Sequence, residues 1–283
     1  MKIEEIITAR IIDKLEQGTI PWHKPWTGGE APKNLITKKE YRGINVFILN
    51  AMGYSSPYWV SFKQAHDLGG TVKKGEKGTP VIFWKWMNKT DEEGNLSADH
   101  FPFLRYYTVF NVGQIEGIDE SKIPALTVKY NDLKKIAQCE AVVMAMPKRP
   151  EITYNDQRAY YMPSKDRVNM PKMETFDGSE EYYSTLFHEL THSTGHESRL
   201  NRKGIISGIA AFGTQEYSKE ELVAEMGAAF LCGYCQIDNK TIDNSAAYIK
   251  SWLKKLKNDP KMVILAAAQA QKATDFILCH HEA

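Results

Sequence analysis

Two histidines in the segment His188-Glu189-Leu190-Thr191-His192 have the spacing of a metal-binding pair. On an α-helix, residues four apart are separated by about 400° of rotation, so both imidazoles leave the same face. Such a pair can bind zinc, and we predict one zinc ion per chain. Glu189 directly follows the first histidine, which in this motif places its carboxylate beside an activated water rather than on the metal. Glu189 is therefore the predicted general base.

The flanking sequence predicts the helix that this spacing requires. Ser179 is a candidate N-cap, and Glu180 and Glu181 place acidic side chains in the first turn. Apolar residues recur at helical spacing over 182–190, and Gly195 is expected to end the helix. The alternative is a surface helix with two solvated histidines, and the neighbouring sequence favours the metal site.

A catalytic zinc ion needs a third protein ligand in addition to the two histidines. The sequence after His192 has no histidine at the metzincin spacing, where Ser198 stands instead. Further along the chain, residues 220–230 form a helical pattern of apolar residues, with Ser218 as a candidate N-cap. This second helix is the expected source of the missing ligand.

Glu221 and Glu225 share one face of that second helix. The segment resembles the E-x-x-A-D/E helix of gluzincin metallopeptidases, in which the first acid binds zinc and the acid one turn later orients a histidine ligand. The resemblance implies that Glu221 is the third ligand and that Glu225 accepts the second N–H of a ligating imidazole. The reverse order remains an alternative, as does His196, if the first helix continues through Gly195. A solvated acidic face is disfavoured because apolar residues surround both acids.

The region between Pro21 and Met87 differs from the rest of the chain in charge and tryptophan content. It contains ten Lys or Arg residues and four acids, whereas the whole chain carries a net charge of +1. It also holds five of the six tryptophans. Basic residues interleaved with aromatic ones suit a groove that follows a nucleic-acid backbone and stacks its bases. The alternative is a small α+β domain with solubilising lysines, in which residues such as Trp59 and Phe83 pack in the core.

Local patterns predict the elements of this basic region. An amphipathic helix over 1–17 precedes it and must dock on another part of the protein. A glycine-bracketed basic turn at 71–80 leads into a hairpin. The other expected elements are helices at 42–50 and 61–68, strands at 81–86 and 103–112, and a polar hairpin tip at 88–100.

Four sequence blocks resemble the N-terminal single-stranded-DNA-binding domain of the ArdC family of antirestriction proteins. They are P-W-x-K-P-W from Pro21, Y-R-G-I-N from Tyr41, L-G-G-x-V-K-K-G-E-K-G-x-P-V-x-F-W-K from Leu68 and Y-Y-x-V-F-N from Tyr106. The two metal-site segments are similar to the zincin-like C-terminal domain of that family. The resemblance implies an α+β protein with a small N-terminal DNA-binding domain and a C-terminal metallopeptidase domain. We expect these domains at 1–116 and 129–283, joined by a linker at 117–128.

The resemblance locates DNA binding in the first domain. We predict that its tryptophans stack on bases, with about 1–3 kcal/mol per stacked base, and that its cations neutralise phosphates. The predicted DNA-binding residues are Trp22, Lys24, Trp26, Arg42, Asn45, Lys63, Lys73, Lys74, Lys77, Trp84 and Lys85.

Members of this family travel on conjugative plasmids and other mobile elements and protect transferred DNA from host restriction. The resemblance therefore implies an antirestriction protein that binds single-stranded DNA, with a host restriction or defence protein as candidate peptidase substrate. From the residues, the expected mechanism is attack of an activated water on a peptide carbonyl, with Glu189 transferring the proton. One alternative is a non-catalytic protein that coats the strand and has a structural or vestigial zinc site. Another is a nuclease, which usually needs a second carboxylate cluster that we do not find.

Composition bears on location and redox state. No apolar run reaches ~18 residues and the N-terminus does not resemble a signal peptide, so we expect a cytoplasmic protein with no membrane partner. The four cysteines are expected to be reduced and buried. Cys232 and Cys235 have the C-x-x-C spacing of a redox or metal pair, but their position late in an apolar helical pattern favours core packing.

Overall fold

The computed structural model describes residues 3–17, 30–90, 96–124, 132–176, 178–202, 205, 215–238 and 246–280. These residues form both helices and sheets, which confirms the predicted α+β class. No helix in the described ranges is both long enough and apolar enough to cross a membrane.

The N-terminal elements are organised around a four-stranded sheet. In chain order they are α1 (Ile3–Glu16), β1 (Lys33–Asn34), α2 (Ile44–Asn50), β2 (Tyr58–Ser61), α3 (Phe62–Asp67), β3 (Thr71–Val72), β4 (Thr79–Thr90), β5 (Leu96–Asn111) and β6 (Ile115–Glu116). The sheet order is β1-β2-β5-β4, with β1 parallel to β2 and the other pairs antiparallel. Strands β3 and β6 form a separate antiparallel pair.

The hairpin of β4 and β5 is longer than predicted. Pairing continues through Asn88 opposite His100 and ends with Thr90 opposite Leu96. The polar residues expected to form the tip therefore belong largely to the strands, since ladder hydrogen bonds join backbone groups and do not require apolar side chains. The remaining tip, 91–95, lies outside the described residues.

The residue at the N-cap position determines where two helices of the N-terminal region begin. The helix predicted from residue 42 starts at Ile44, because Gly43 has a φ of +57° and precedes it as N-cap. The helix predicted from residue 61 has Ser61 as N-cap: its Oγ accepts from the amide of Gln64, whose side chain accepts from the Ser61 amide. This reciprocal cap fixes the junction between β2 and α3.

The C-terminal elements consist of a small sheet and five helices among the described residues. In chain order they are α4 (Asp132–Ala145), β7 (Glu151–Thr153), β8 (Tyr160–Met162), β9 (Arg167–Asn169), α5 (Ser179–Ser193), α6 (Gln215–Cys235), α7 (Ala246–Asn258) and α8 (Met262–Ile277). The sheet order is β7-β9-β8, with β9 parallel to β7 and antiparallel to β8.

Helix α6 is the central helix of this half. Leu222, Ala224, Met226, Ala228 and Leu231 are all fully buried although they point in different directions around the helix. It packs against both α5 and α8. The predicted N-cap at Ser218 is wrong, because the helix already begins at Gln215.

Both predicted ends of helix α5 need correction. Gly178, with extended backbone and no side-chain cap, occupies the N-cap position instead of Ser179. Gly195 follows the helix, as predicted, but it does not adopt the left-handed conformation expected of a C-terminal glycine. It is needed for space: a Cβ there would lie 2.5 Å from Cγ1 of Ile205.

The largest core joins residues from both sides of the predicted linker. Ile7, Ile11 and Leu15 of α1 lie in the same apolar cluster as Trp252 and Leu256 of α7. Residues of α2, α6 and α8 complete this cluster. The amphipathic N-terminal helix thus docks on the C-terminal helices. The two predicted domains therefore share this core, although each also has apolar clusters of its own.

Three of the four cysteines are buried free thiols, as predicted. Cys139, Cys232 and Cys235 belong to the core between α4, α5 and α6, and contact between the Cys139 and Cys235 thiols together with burial raises the pKa of Cys235. The C-x-x-C pair is therefore a packing feature. Cys279 is exposed, so the prediction of burial is wrong there.

Candidate metal centre

The structure brings the three predicted metal ligands together. His188 and His192 lie one turn apart on α5, and their Nε2 atoms are 3.1 Å apart. Glu221 of α6 faces both, with its two carboxylate oxygens each 3.6 Å from one of these nitrogens. One ligand atom from each residue can be chosen so that all three lie within 4.8 Å of one another. The side chains are largely buried but retain some exposure on one side.

This geometry fits a divalent ion with three protein ligands. Zinc–nitrogen and zinc–oxygen bonds of about 2.0–2.1 Å in a tetrahedral arrangement place ligand atoms about 3.3 Å apart. The observed separations of 3.1 and 3.6 Å are close to that value. Imidazole and carboxylate donors suit zinc and also several other first-row metals. Ligand type and spacing thus agree with a catalytic type of site, in which a fourth position stays available.

Negative charge surrounds His188. Burial lowers the pKa of His188, but contact with Glu221 and the charges of Glu225 and Glu189 outweigh this effect and raise the pKa to about 9. Among the described residues, no hydrogen-bond partner reaches the buried Nδ1 of this histidine. A bound cation would relieve the same negative potential that now favours the imidazolium.

A buried ion pair supports the second histidine, and sequence analysis missed it. Oε1 of Glu220 lies 3.5 Å from Nδ1 of His192. The guanidinium of Arg202 donates to both oxygens of Glu220, at 2.6 and 3.1 Å. Arg202 also donates to Oγ1 of Thr194 at 2.5 Å and to the carbonyl of Thr191 at 2.8 Å. Arg202 therefore ties the end of α5 to the start of α6.

The environment of Glu220 keeps it ionised. Burial would raise the pKa of Glu220, but His192 and Arg202 lower it below its ordinary value. Glu220 thus lies next to Nδ1 of His192 as a charged neighbour, and the predicted acceptor, Glu225, is buried close enough to His188 to raise its pKa. Two adjacent acids at the start of a buried helix were the only sequence signal for this arrangement.

His196, the alternative ligand, lies outside the three-residue group found in the described part of the chain. Its Nδ1 is 2.9 Å from Oγ of Ser198 and accepts from the Ser198 amide at 3.2 Å. The helix ends at Ser193, so His196 does not continue the face that carries His188 and His192. Among the described residues, Glu221 and not His196 completes the group that could hold a metal ion.

The predicted DNA-binding residues lie in different parts of the chain. Trp22, Lys24 and Trp26 lie outside the described residues. Trp84 and Lys85 belong to strand β4, of which the structure describes the backbone at these positions. Four lysines are exposed near the first sheet. They are Lys63, Lys73, Lys74 and Lys77.

Arg42 and Asn45 have partners inside the protein. Arg42 forms an ion pair with Asp275 of α8, although its side chain remains half exposed. The amide of Asn45 is buried and makes two hydrogen bonds, at 2.7 and 2.8 Å, with the backbone of Ile82 in β4. Asn45 thus joins α2 to the sheet. Of the two residues that were alternatives for core packing, Trp59 is buried and Phe83 is 40% exposed, so that expectation is wrong for Phe83.

Known proteins resemble this chain along most of its length. A family model described as the N-terminal domain of anti-restriction factor ArdC matches residues 1–110, and one described as a zincin-like metallopeptidase matches residues 137–269. The metal-free crystal structure of antirestriction protein ArdC from plasmid R388 is 38% identical, with a TM-score of 0.76, and the match covers 98% of this chain and 97% of that one. The chain belongs to the ArdC family of antirestriction proteins.

A second ArdC structure from plasmid R388, described as Mn(II)-bound, is 36% identical with a TM-score of 0.77, over 99% of this chain and 98% of that one. A protein called y4eC from Sinorhizobium fredii is 32% identical over 97% of this chain and 91% of its own length. Two DNA primases named TraC from Escherichia coli are each 36% identical over 98% of this chain, which spans only 27% and 20% of their lengths. ArdC-like sequence thus also occurs as a small part of much longer proteins.

The ArdC family assignment confirms the predicted resemblance and the zincin-like character of the C-terminal half. The two family models match regions on either side of the predicted linker at 117–128. Helices α5 and α6, which carry the candidate ligands, lie within the zincin-like region.

Proposed function

We propose that this chain is an antirestriction protein that binds single-stranded DNA through its N-terminal half and hydrolyses peptide bonds at a zinc site in its C-terminal half. The observation that carries the proposal is the convergence of His188, His192 and Glu221 from two helices. Membership of the ArdC family supports the protective role. We place the protein in the cytoplasm, where incoming DNA meets restriction enzymes.

Each residue of the site has a separate task in this mechanism. A bound zinc ion would supply the Lewis acidity that activates a water molecule and polarises a peptide carbonyl. His188, His192 and Glu221 would hold the ion. The buried carboxylate of Glu189, next to His188 in sequence, accepts the proton from the attacking water and delivers it to the leaving nitrogen. Glu220 keeps the ring of His192 in position through Nδ1.

The small sheet offers a way to bind an extended peptide. Strand β8 is an edge of the sheet, and it contacts the helix α5 that carries both histidines. A peptide that paired with this edge through backbone hydrogen bonds would run alongside the metal ligands. The proposed substrate is a protein of the host restriction or defence machinery.

The DNA-binding part of the proposal is supported by exposed positive charge. Lys73, Lys74 and Lys77 lie on one turn between β3 and β4, and Lys63 lies on the neighbouring α3. Lysines on an exposed turn contact phosphates without regard to sequence. Affinity should therefore fall steeply with added salt, as expected when bound counterions are released from the strand.

Replacement of Glu189 by Gln separates the enzyme from a protein that only coats DNA. Glu189→Gln is expected to keep its metal and its DNA affinity but to lose both peptide hydrolysis and protection of incoming unmodified DNA in a conjugation assay. A matched control is Glu197→Gln, an exposed acid beyond the end of α5. If Glu189→Gln retains metal and still protects DNA, the non-catalytic alternative is correct.

Removal of the three lysine charges of the basic turn tests the DNA interface. Replacing Lys73, Lys74 and Lys77 together by Ala should reduce the slope of log affinity against log salt by about 2 for single strands. The control removes the same charge from three exposed lysines of other regions: Lys122, Lys165 and Lys172. If both triple variants change the slope equally, general charge and not this turn accounts for binding.

A further inference from the structure

An exposed phenylalanine at the start of α3 and the basic turn lie close to the same side chain, Phe110. Phe62 is 64% exposed, the largest exposure of any aromatic side chain in the described residues, and it has no polar atom to hydrate. Its backbone is rigid because it directly follows the capped Ser61 at the start of α3. Isolated exposed apolar residues are common, so exposure alone does not assign a role to Phe62. The residues around Phe62 indicate what that role is.

Phe62 rests on an aromatic support. Its ring meets the ring of Phe110 edge-on, with centroids 6.3 Å apart and an interplanar angle of 63°. Phe110 of β5 in turn packs against the small core that includes Val60 and Ala65. The ring of Phe62 is thus supported by Phe110, while most of its surface remains exposed.

The basic turn passes directly over the same support. A Cβ on Gly78 would lie 2.2 Å from Cγ2 of Thr108 and 2.9 Å from Cζ of Phe110, so only glycine allows this approach. Lys77 precedes Gly78, and its carbonyl accepts a hydrogen bond from Gln114 at 3.1 Å. The turn and the Phe62 ring therefore both lie close to Phe110.

The charged residues near the Phe62 ring include lysines that have no carboxylate partner in the described part of the chain and can therefore bind phosphates. Among the described residues, no carboxylate forms an ion pair with Lys63, Lys74 or Lys77. The acid on the same turn, Glu76, accepts a hydrogen bond from Gln114 at 2.8 Å. Cations beside an exposed aromatic ring match the alternation of phosphate and base in an unpaired strand.

We infer that Phe62 is a stacking platform for one unpaired base, with the flanking phosphates neutralised by Lys63 and by the turn of Lys74 and Lys77. The inference rests on the proposed DNA binding and adds a subsite to it. The sequence pattern predicts stacking by tryptophans and gives no signal for Phe62. A duplex cannot use the platform, because its bases are already stacked on one another.

The test compares Phe62→Leu with Phe62→Trp. Leucine keeps an apolar side chain but removes the aromatic face, so affinity for a single-stranded oligonucleotide should fall about 5- to 150-fold, whereas Phe62→Trp should bind as well as the native protein. The salt slope should stay unchanged, because no charge is lost. The melting temperature should also stay unchanged, since the ring is mostly exposed. The control is Met144→Ala, a 68% exposed side chain on α4.

An oligonucleotide with abasic sites supplies a second readout. Without bases to stack, the native protein and Phe62→Leu should bind it equally. If the lysine triple variant flattens the salt slope while Phe62→Leu binds normal DNA like the native protein, the stacking inference fails and the DNA-binding proposal stands. If the native protein binds no single-stranded DNA, both fail.

Discussion

At the scale of single residues, local spacing predicts the metal site better than the groups that support it. The positions of His188, Glu189 and His192 follow from helical geometry, which acts over one turn. The partners Glu220 and Arg202 are 18 positions apart and meet only through the packing of α5 on α6. A pattern of apolar residues gives the face of a helix but not which of two adjacent acids lies next to both histidines.

The buried pair gives a prediction about metal affinity. Glu220→Gln removes the charge that orients the ring of His192 and leaves Arg202 without its carboxylate. We expect zinc affinity to fall about 10- to 100-fold, the usual effect of losing a partner of a metal-bound histidine. Competition with a chelating dye measures it, with Glu197→Gln as the charge-matched control. Equal affinities in the two variants would show that the pair serves folding alone.

At the scale of elements, helix and strand positions follow the sequence, whereas element ends and contacts do not. The predicted helices and the β4–β5 hairpin are present, because apolar periodicity is a local property. The beginnings of α5 and α6 differ from prediction, since neither helix uses the serine that the sequence offered. The close contact between these helices also had no sequence signal apart from a glycine inside a helix.

The glycine inside α6, Gly227, gives the prediction at the scale of elements. A Cβ on Gly227 would lie 2.4 Å from Cγ2 and 2.7 Å from Oγ1 of Thr191. Gly227→Ala gains about 1 kcal/mol of helix propensity but overpacks the contact at a cost of about 1–3 kcal/mol. We expect the variant to be less stable overall and to bind zinc more weakly. The added methyl group would push α6 away from α5, and Glu221 would move away from the two histidines.

A double variant separates overpacking from other effects of Gly227→Ala. In a Thr191→Ala background the two atoms nearest to the new methyl group are absent, so Gly227→Ala should lose most of its cost. Urea unfolding of the two single variants and the double variant measures this coupling. Strictly additive effects would mean that the helices do not meet at this point in solution.

At the scale of the whole molecule, the sequence indicates two regions of different composition but not their shared core. It predicts that α1 is amphipathic and must dock, without saying where. In the structure α1 packs against α7 and α8, and it shares their apolar cluster with α6, the helix that carries Glu221. The predicted boundary at 117–128 therefore does not divide the largest core of the protein.

A substitution that leaves a cavity in the core beneath α1 tests whether α1 and α6 are stabilised together. Ile11→Ala should destabilise the protein by about 2–5 kcal/mol, because Ile11 is 1% exposed in the shared core. Hydrogen exchange should show reduced protection of the α6 amides together with those of α1. The control is Ile36→Ala, whose side chain is 48% exposed. If the α6 amides keep their native protection, the two halves fold independently.

The central claim is that His188, His192 and Glu221 bind one metal ion. Zinc titration of the native protein, Glu221→Gln and His196→Ala, with metal content measured after dialysis, tests it most directly. We expect one zinc per native chain, the same content in His196→Ala, and loss of most of the zinc in Glu221→Gln. Full zinc content in Glu221→Gln together with loss in His196→Ala would contradict it.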